Sequence, residues 1–278
     1  MKKIALVTGA SSGIGMETSL LLLDAGFTVY GAARRLEKMK PIEEKGGHAL
    51  YLDLTDENSI VRCVDEILKN EGRIDVLVNN AGFGLGGAVE DIPVYEARRE
   101  FDVNVFSLAR MCQLVLPSMR ENGGGKIINI SSMAGKFSSP FSGWYHASKY
   151  CVEALSDALR LEVKPFNVKV VLIEPGLIQT GWGVFHAQNI RKFSCVSSSA
   201  YSKISDSAAK FYEHFYSDKK NCSEPYVVSK TILKAALKKN PRARYTAGRF
   251  SKLFILTRKI LPDFIFDFFE CITFGIKK

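Results

Sequence analysis

The chain has 278 residues, 46% of them hydrophobic and 24% charged, enough to bury a full core around one sheet within the size a single α/β domain reaches. Its six cysteines, at positions 63, 112, 151, 195, 222 and 271, show no C-x-x-C spacing, which argues against a zinc site or a disulfide framework and suits a reduced, cytoplasmic protein. The net charge of +9 is confined to the last segment, since residues 1–225 hold 26 Lys+Arg and 26 Asp+Glu while residues 226–278 hold 12 and 3; without a recognition fold beside it, this excess does not point to nucleic acid.

Lys3-Ile-Ala-Leu-Val-Thr8 is a short apolar run suited to a buried parallel strand. Lys2 and Lys3 resemble the start of a signal peptide, but the apolar run ends too soon to be an h-region. The strand passes into Gly9-Ala10-Ser11-Ser12-Gly13-Ile14-Gly15 and then an amphipathic helix over 16–25. In that context glycines let backbone N–H groups and the helix N-terminus approach a pyrophosphate, which makes the turn a candidate dinucleotide site. The spacing departs from G-x-G-x-x-G, and a mere tight connection is the alternative, but directly after the first strand the dinucleotide site is the favoured reading. The next strand, 27–32, leads to Ala33, where an acidic residue would bond the 2′-OH of NAD. Arg34 and Arg35 follow instead, and guanidinium matches a 2′-phosphate, so NADP(H) is expected over NAD(H) unless the pair is only a solvated face.

Further apolar runs at 48–52, 74–78, 126–131, 167–173 and near Arg244-Tyr-Thr alternate with helical stretches. This pattern predicts a Rossmann-type doubly wound parallel sheet of about seven strands, with helices on both faces. No repeat, low-complexity tract or linker divides residues 1–248, which are expected to form a single catalytic domain. Ser132 ends the 126–131 run, at the strand edge where open α/β sheets bind ligands. The helix expected over 144–164 carries Tyr145 and Lys149 one turn apart, on one face. A free tyrosine titrates near ~10, and the Lys149 ammonium is expected to lower that value, fitting Tyr145 for proton exchange with an alcohol or carbonyl. His146 points off that face and reads as a spacer; His48, His186 and His214 have no companions at metal-ligand spacing, so no metal is expected.

Thr8-Gly-Ala-Ser-Ser-Gly-Ile-Gly15, Asn79-Asn80-Ala81-Gly82 and the set Ser132, Tyr145, Lys149, in that order, resemble the short-chain dehydrogenase/reductase family over roughly residues 2–248. The style of the motifs is similar to the branch with 17β-hydroxysteroid, retinol and acyl-dihydroxyacetone-phosphate reductases. The resemblance implies that Asn104 holds a water in a proton relay, that Pro175-Gly176-Leu-Ile178-Gln-Thr180 touches the nicotinamide carboxamide, and that Asp53-Leu54 lies beside the adenine. It also implies the reaction: hydride passes between nicotinamide and a carbonyl carbon, Tyr145 exchanges the proton as general acid or base, Ser132 bonds the substrate oxygen, and Lys149 grips the ribose. A homodimer or homotetramer formed through helices around 94–120 and 143–164 is implied as well. Three other readings remain: a dinucleotide-binding redox sensor without turnover, a nucleotide-sugar epimerase or dehydratase, and an acyl-carrier-protein ketoreductase.

Residues 181–224 read as an insertion-like lid, partly helical around 200–218, with Phe185, His186, Phe193, Tyr201, Phe211, Tyr212 and Phe215. Trp182 and Phe185 are its candidate substrate contacts, and the aromatic content suits a bulky apolar carbonyl or alcohol such as a steroid, retinoid or acyl compound. Trp144 and Trp182 are each as readily core as site. Residues 249–278 read as two short amphipathic helices split by Pro262, a basic extension too interrupted to span a bilayer. It could lie on a membrane surface, pack on a partner subunit or roof the substrate pocket.

Overall fold

The computed structural model describes residues 2–218 and 220–276; Lys219 in the expected lid and Lys277 and Lys278 in the extension lie outside the described residues. In chain order the elements are β1 (Ile4–Thr8), α1 (Gly13–Asp24), β2 (Thr28–Ala33), α2 (Lys40–Glu44), β3 (His48–Tyr51), α3 (Glu57–Glu71) and β4 (Val76–Asn79). There follow α4 (Val94–Phe101), α5 (Ser107–Glu121), β5 (Gly125–Ile130), α6 (Gly143–Glu162) and β6 (Val168–Pro175). The chain continues through α7 (Trp182–Ser194), α8 (Ser202–Ser217), α9 (Pro225–Leu237), β7 (Arg244–Ala247), α10 (Ser251–Ile260) and α11 (Asp263–Phe274).

All seven strands are parallel, in the order β3-β2-β1-β4-β5-β6-β7. Alternate strand residues feed opposite layers, as the two-residue period of a strand requires. Leu6, Leu77 and Ile127 pack with Val64, Ile67, Met111, Val115 and Val152 of α3, α5 and α6. Val7, Val78 and Ile128 pack with Leu22, Ile42, Val228 and Ile232 of α1, α2 and α9. Both faces being covered, the strands read as continuous apolar runs, which is why their positions were legible to within a residue or two. The strand order reverses between β1 and β4, which opens a crevice above their C-terminal ends.

Two departures from the expected elements matter for the site. The stretch expected as one helix over 94–120 is broken into α4 and α5 by a π-helical turn, Asp102–Phe106, centred on Asn104. Helix α7 was not expected at all. Its buried positions are Gly183, His186, Ala187, Asn189, Ile190 and Ser194, so its inner face lacks the apolar stripe that marks a helix in sequence. The 249–278 segment does form two helices, split at Pro262, and no helix among the described residues is long and apolar enough to cross a membrane.

Candidate active site

The crevice floor is built by the turn after β1. Gly9 and Gly13 have φ of +69° and +53°, conformations a side chain would strain. A Cβ on Gly9 would also lie 2.9 Å from the Ala81 Cα, so the turn and the β4 loop touch backbone to backbone. The Thr8 hydroxyl accepts from the Asn80 and Ala81 N–H groups at 3.0 and 3.1 Å, and Asn80 Nδ2 donates to the Thr8 carbonyl at 2.9 Å. Helix α1 begins after Ser12 with no side-chain cap, leaving its first N–H groups free for an anion. This cradle, with no Cβ at Gly9, Gly13 or Gly15, fits a dinucleotide pyrophosphate.

At the crevice end beside β2, Arg34 and Arg35 are exposed, and Arg35 Nη2 donates to Ser11 Oγ at 3.1 Å. Asp53 faces them. Burial pushes its carboxyl up, but hydrogen bonds from Thr55 and the charges of Arg34 and Arg99 outweigh that and hold it below the usual range. Arg99, on α4, also lines this end; nothing in its sequence setting beside Arg98 distinguished it.

The reaction centre lies over the ends of β4, β5 and β6. Ser132 follows β5, and its Oγ accepts from the Ala134 N–H at 3.1 Å. On α6, Lys149 is buried, donates to the Ile130 carbonyl at 2.9 Å and sits 5.9 Å from the centre of the Tyr145 ring. The expected lowering of the Tyr145 pKa is not what this structure gives. Burial pushes the phenol up to about 12, a hydrogen bond with Ser132 pulls it down by less, and the Glu100 carboxyl adds to the rise. Burial in turn brings Lys149 down to about 8, against the attraction of Glu100 and Glu153. Desolvation dominates both shifts and leaves Tyr145 a neutral phenol beside the Lys149 ammonium.

Asn104 and Gly15 lie behind the crevice wall. Asn104 Nδ2 donates to the Phe83 carbonyl and to Ser148 Oγ at 2.9 and 3.0 Å, and its Oδ1 accepts from the Phe83 N–H at 3.1 Å, so its side chain ties the β4 loop to α6. A Cβ on Gly15 would lie 2.4 Å from the Gly9 carbonyl oxygen, which makes its role close packing. Glu100, one turn before Asn104, escaped sequence reading. Fully buried, it accepts from the Leu85 N–H at 2.9 Å, and burial raises its carboxyl to about 8.

His146 is an anchor more than a spacer. Its Nδ1 faces the Ala134 and Phe137 carbonyls at 2.9 and 2.5 Å, and its Nε2 accepts from the Ser139 N–H at 3.2 Å, an arrangement only the neutral Nδ1–H ring satisfies. The tryptophans part company. Trp144 packs edge-on to Phe101 within the Leu85, Ile92, Ala97 and Phe193 cluster, whereas Trp182 lies 5.0 Å from the Tyr145 ring and stacks on His186. His186 bonds Ser142, which also bonds the Tyr212 hydroxyl, both at 2.8 Å.

One cavity of about 1180 Å³ joins these parts. Ser11, Ser12, Gly13, Ile14 and Gly9 line it beside Arg34, Arg35, Asp53 and Leu54; Asn80, Ala81 and Gly82 follow, then Ser132, Tyr145 and Lys149 with Pro175, Gly176, Ile178 and Thr180. Beyond Tyr145 the wall is Trp182, Phe185, Phe211, Tyr212 and Phe215 from the lid. Of the other lid aromatics, Phe193 belongs to the Trp144 cluster and Tyr201 bonds Glu90. Phe250, Leu253, Phe254 and Phe274 complete the roof, so one side of the last segment covers the pocket, one of the three placements open for it, while its other side stays exposed.

The family model described as "short chain dehydrogenase" matches residues 3–189. The chain is 37% identical over 277 residues, 99% of each chain, to 3-ketodihydrosphingosine reductase of Bacteroides thetaiotaomicron. It is 35% identical over 275 residues, 95% of each chain, to NADPH-dependent 3-dehydrocapnine reductase of Ornithobacterium rhinotracheale. Its fold is similar to the crystal structure of a short-chain dehydrogenase from Streptomyces avermitilis, with a TM-score of 0.81 and 30% identity over 99% of this chain and 98% of that one.

Proposed function

The chain belongs to the short-chain dehydrogenase/reductase family, and from that premise we propose that it uses NADPH to reduce a ketone carried on a long apolar molecule. The observation that carries this reading is the continuous cavity, arginine-lined at one end, aromatic at the other, with Tyr145 where the two meet. The names of the two relatives, both reductases of 3-keto or 3-dehydro compounds and one NADPH-dependent, agree with it.

When bound, the nicotinamide supplies the hydride that forms the new C–H bond at the carbonyl carbon. The Gly9–Gly13 turn and the α1 N-terminus would hold the pyrophosphate, with Arg34 and Arg35 on the 2′-phosphate. Ser132 would bond the ketone oxygen and Tyr145 would protonate it, closing the alcohol O–H as the carbon–oxygen double bond becomes single. The Lys149 ammonium would stabilise the phenolate left behind, and Asn104 would hold the β4 loop and α6 in register. A phenol held neutral by burial suits the acid, and hence the reducing direction. We further propose pairing of two copies through α4, the π turn after it, α5 and α6, where Val94, Tyr95, Phe106 and Leu161 are more than half exposed.

The test is NADPH oxidation with 3-ketodihydrosphingosine as first probe. The parent should turn over and Tyr145→Phe should lose at least a hundredfold in kcat; equal rates for the two would refute the proton donor. Substituting Arg34 and Arg35 by Ala should raise the KM for NADPH tenfold or more and leave that for NADH little changed. A parent that prefers NADH would overturn the cofactor assignment.

A further inference from the structure

We propose that α10 and α11 seat the protein on an anionic lipid bilayer, so that the ketone enters the cavity directly from the lipid phase; this rests on the apolar-substrate reading above. On α11, Phe264, Phe268 and Ile272 recur every four residues and are 74%, 61% and 61% exposed, with Phe269 beside them. On α10, Leu253, Leu256 and Ile260 are likewise exposed. Large apolar side chains gathered on one face mark an interaction surface. The opposite sides of the same helices, through Phe254 and Phe274, roof the cavity.

Surface and cavity meet. Leu253, 59% exposed, is also a cavity wall, as are exposed Thr273 and, across the mouth on α7, Phe185. The apolar exterior therefore runs into the apolar interior at the entrance. A second copy or another folded protein on this face would cover those three residues and shut the mouth. A fluid bilayer can cover the same face and still pass an apolar molecule inward.

Charge supports an anionic surface. Lys252 and Lys259 lie exposed on α10 among the apolar residues and form no ion pair among the described residues. Asp263 is taken by Arg258 at 2.5 Å, leaving Asp267 the one unpaired acid on the exposed side of α11 among the described residues. Here α10 supplies the basic side chains and α11 the exposed aromatic ones, and such an amphipathic pair lies in the interface plane rather than spanning the membrane.

The test compares the full chain with a triple variant, Phe264→Ser, Phe268→Ser and Ile272→Ser, by co-sedimentation with phosphatidylcholine vesicles and with three-to-one phosphatidylcholine–phosphatidylglycerol vesicles. The parent should pellet with the anionic vesicles and the variant should partition at least tenfold more weakly. None of the three residues walls the cavity, so the variant should melt with the parent and reduce a water-soluble ketone at the parent's rate, losing several-fold only on a long-chain ketone dissolved in vesicles. Equal recovery of parent and variant in the supernatant overturns the proposal. So does a parent dimer that the triple substitution dissociates, since the occupant is then a second copy. If neither protein reduces any ketone, the reductase reading fails while vesicle partition still decides the docking.

Discussion

Burial of its ammonium, bonded to the Ile130 carbonyl, brings Lys149 down to about 8, so the cation proposed to stabilise the Tyr145 phenolate is lost as pH rises through that value. Reduction should therefore fall in kcat/KM above about pH 8, and Lys149→Arg, with whatever activity it keeps, should lose that alkaline limb; a profile flat to pH 10 in the parent would contradict it. Glu100 makes the opposite kind of statement, about stability. Its folded carboxyl titrates near 8 against an ordinary value of 4.5, so the folded state holds an extra proton between those pH values and stability declines as pH rises across them. Glu100→Gln keeps an acceptor for the Leu85 N–H and removes the penalty. Its Tm should exceed the parent's by several degrees at pH 8 and by little at pH 5, as differential scanning calorimetry would show. That Tyr145, Lys149 and Ser132 meet in one cavity was legible because proton transfer limits which side chains can be proposed for it and at what spacing. The direction of the tyrosine shift was not, because desolvation depends on what Trp182 and the lid place around it, and sequence gives the charges without the burial.

At the scale of elements, the parallel strands could be read because both faces are buried and each run is uniformly apolar, as Ala5, Leu6 and Val7 show with no exposure at all. Helix α7 could not, because it packs through small and polar residues. Gly183 is the extreme case: a Cβ there would lie 2.2 Å from Tyr216 Cγ, so α7 and α8 meet at that glycine. Gly183→Ala should push the lid helices apart at a cost of ~1–3 kcal/mol. The KM for an apolar ketone should rise several-fold while that for NADPH stays unchanged; equal changes in both would place the effect outside the lid. The π turn around Asn104 was equally hidden. Its sequence, Asp102-Val-Asn-Val-Phe106, has nothing against an α-helix, and the extra residue per turn shows only in the backbone.

For the molecule as a whole, the cavity draws on the loops after β1 to β6, on the lid and on the final helices, so a ligand filling its polar end ties together most of the chain. NADPH at about one hundred times its Kd should add about 2.7 kcal/mol to stability by mass action, a rise in Tm on the order of 5 °C, and NADH at the same concentration should add less. Equal shifts for the two would argue against selection by Arg34 and Arg35. The roof also orders events during synthesis. The residues proposed to cradle the dinucleotide and move the proton all lie before Gly181, while the aromatic walls Phe250 to Phe274 follow β7 and emerge only after the last strand of the sheet. Helix α9 and β7 lie between the two sets of aromatic walls and complete the sheet and its covering layer, so exchanging the lid and the helices after β7 while keeping these two is the natural cut by which such a protein could change its clientele while inheriting its reaction whole.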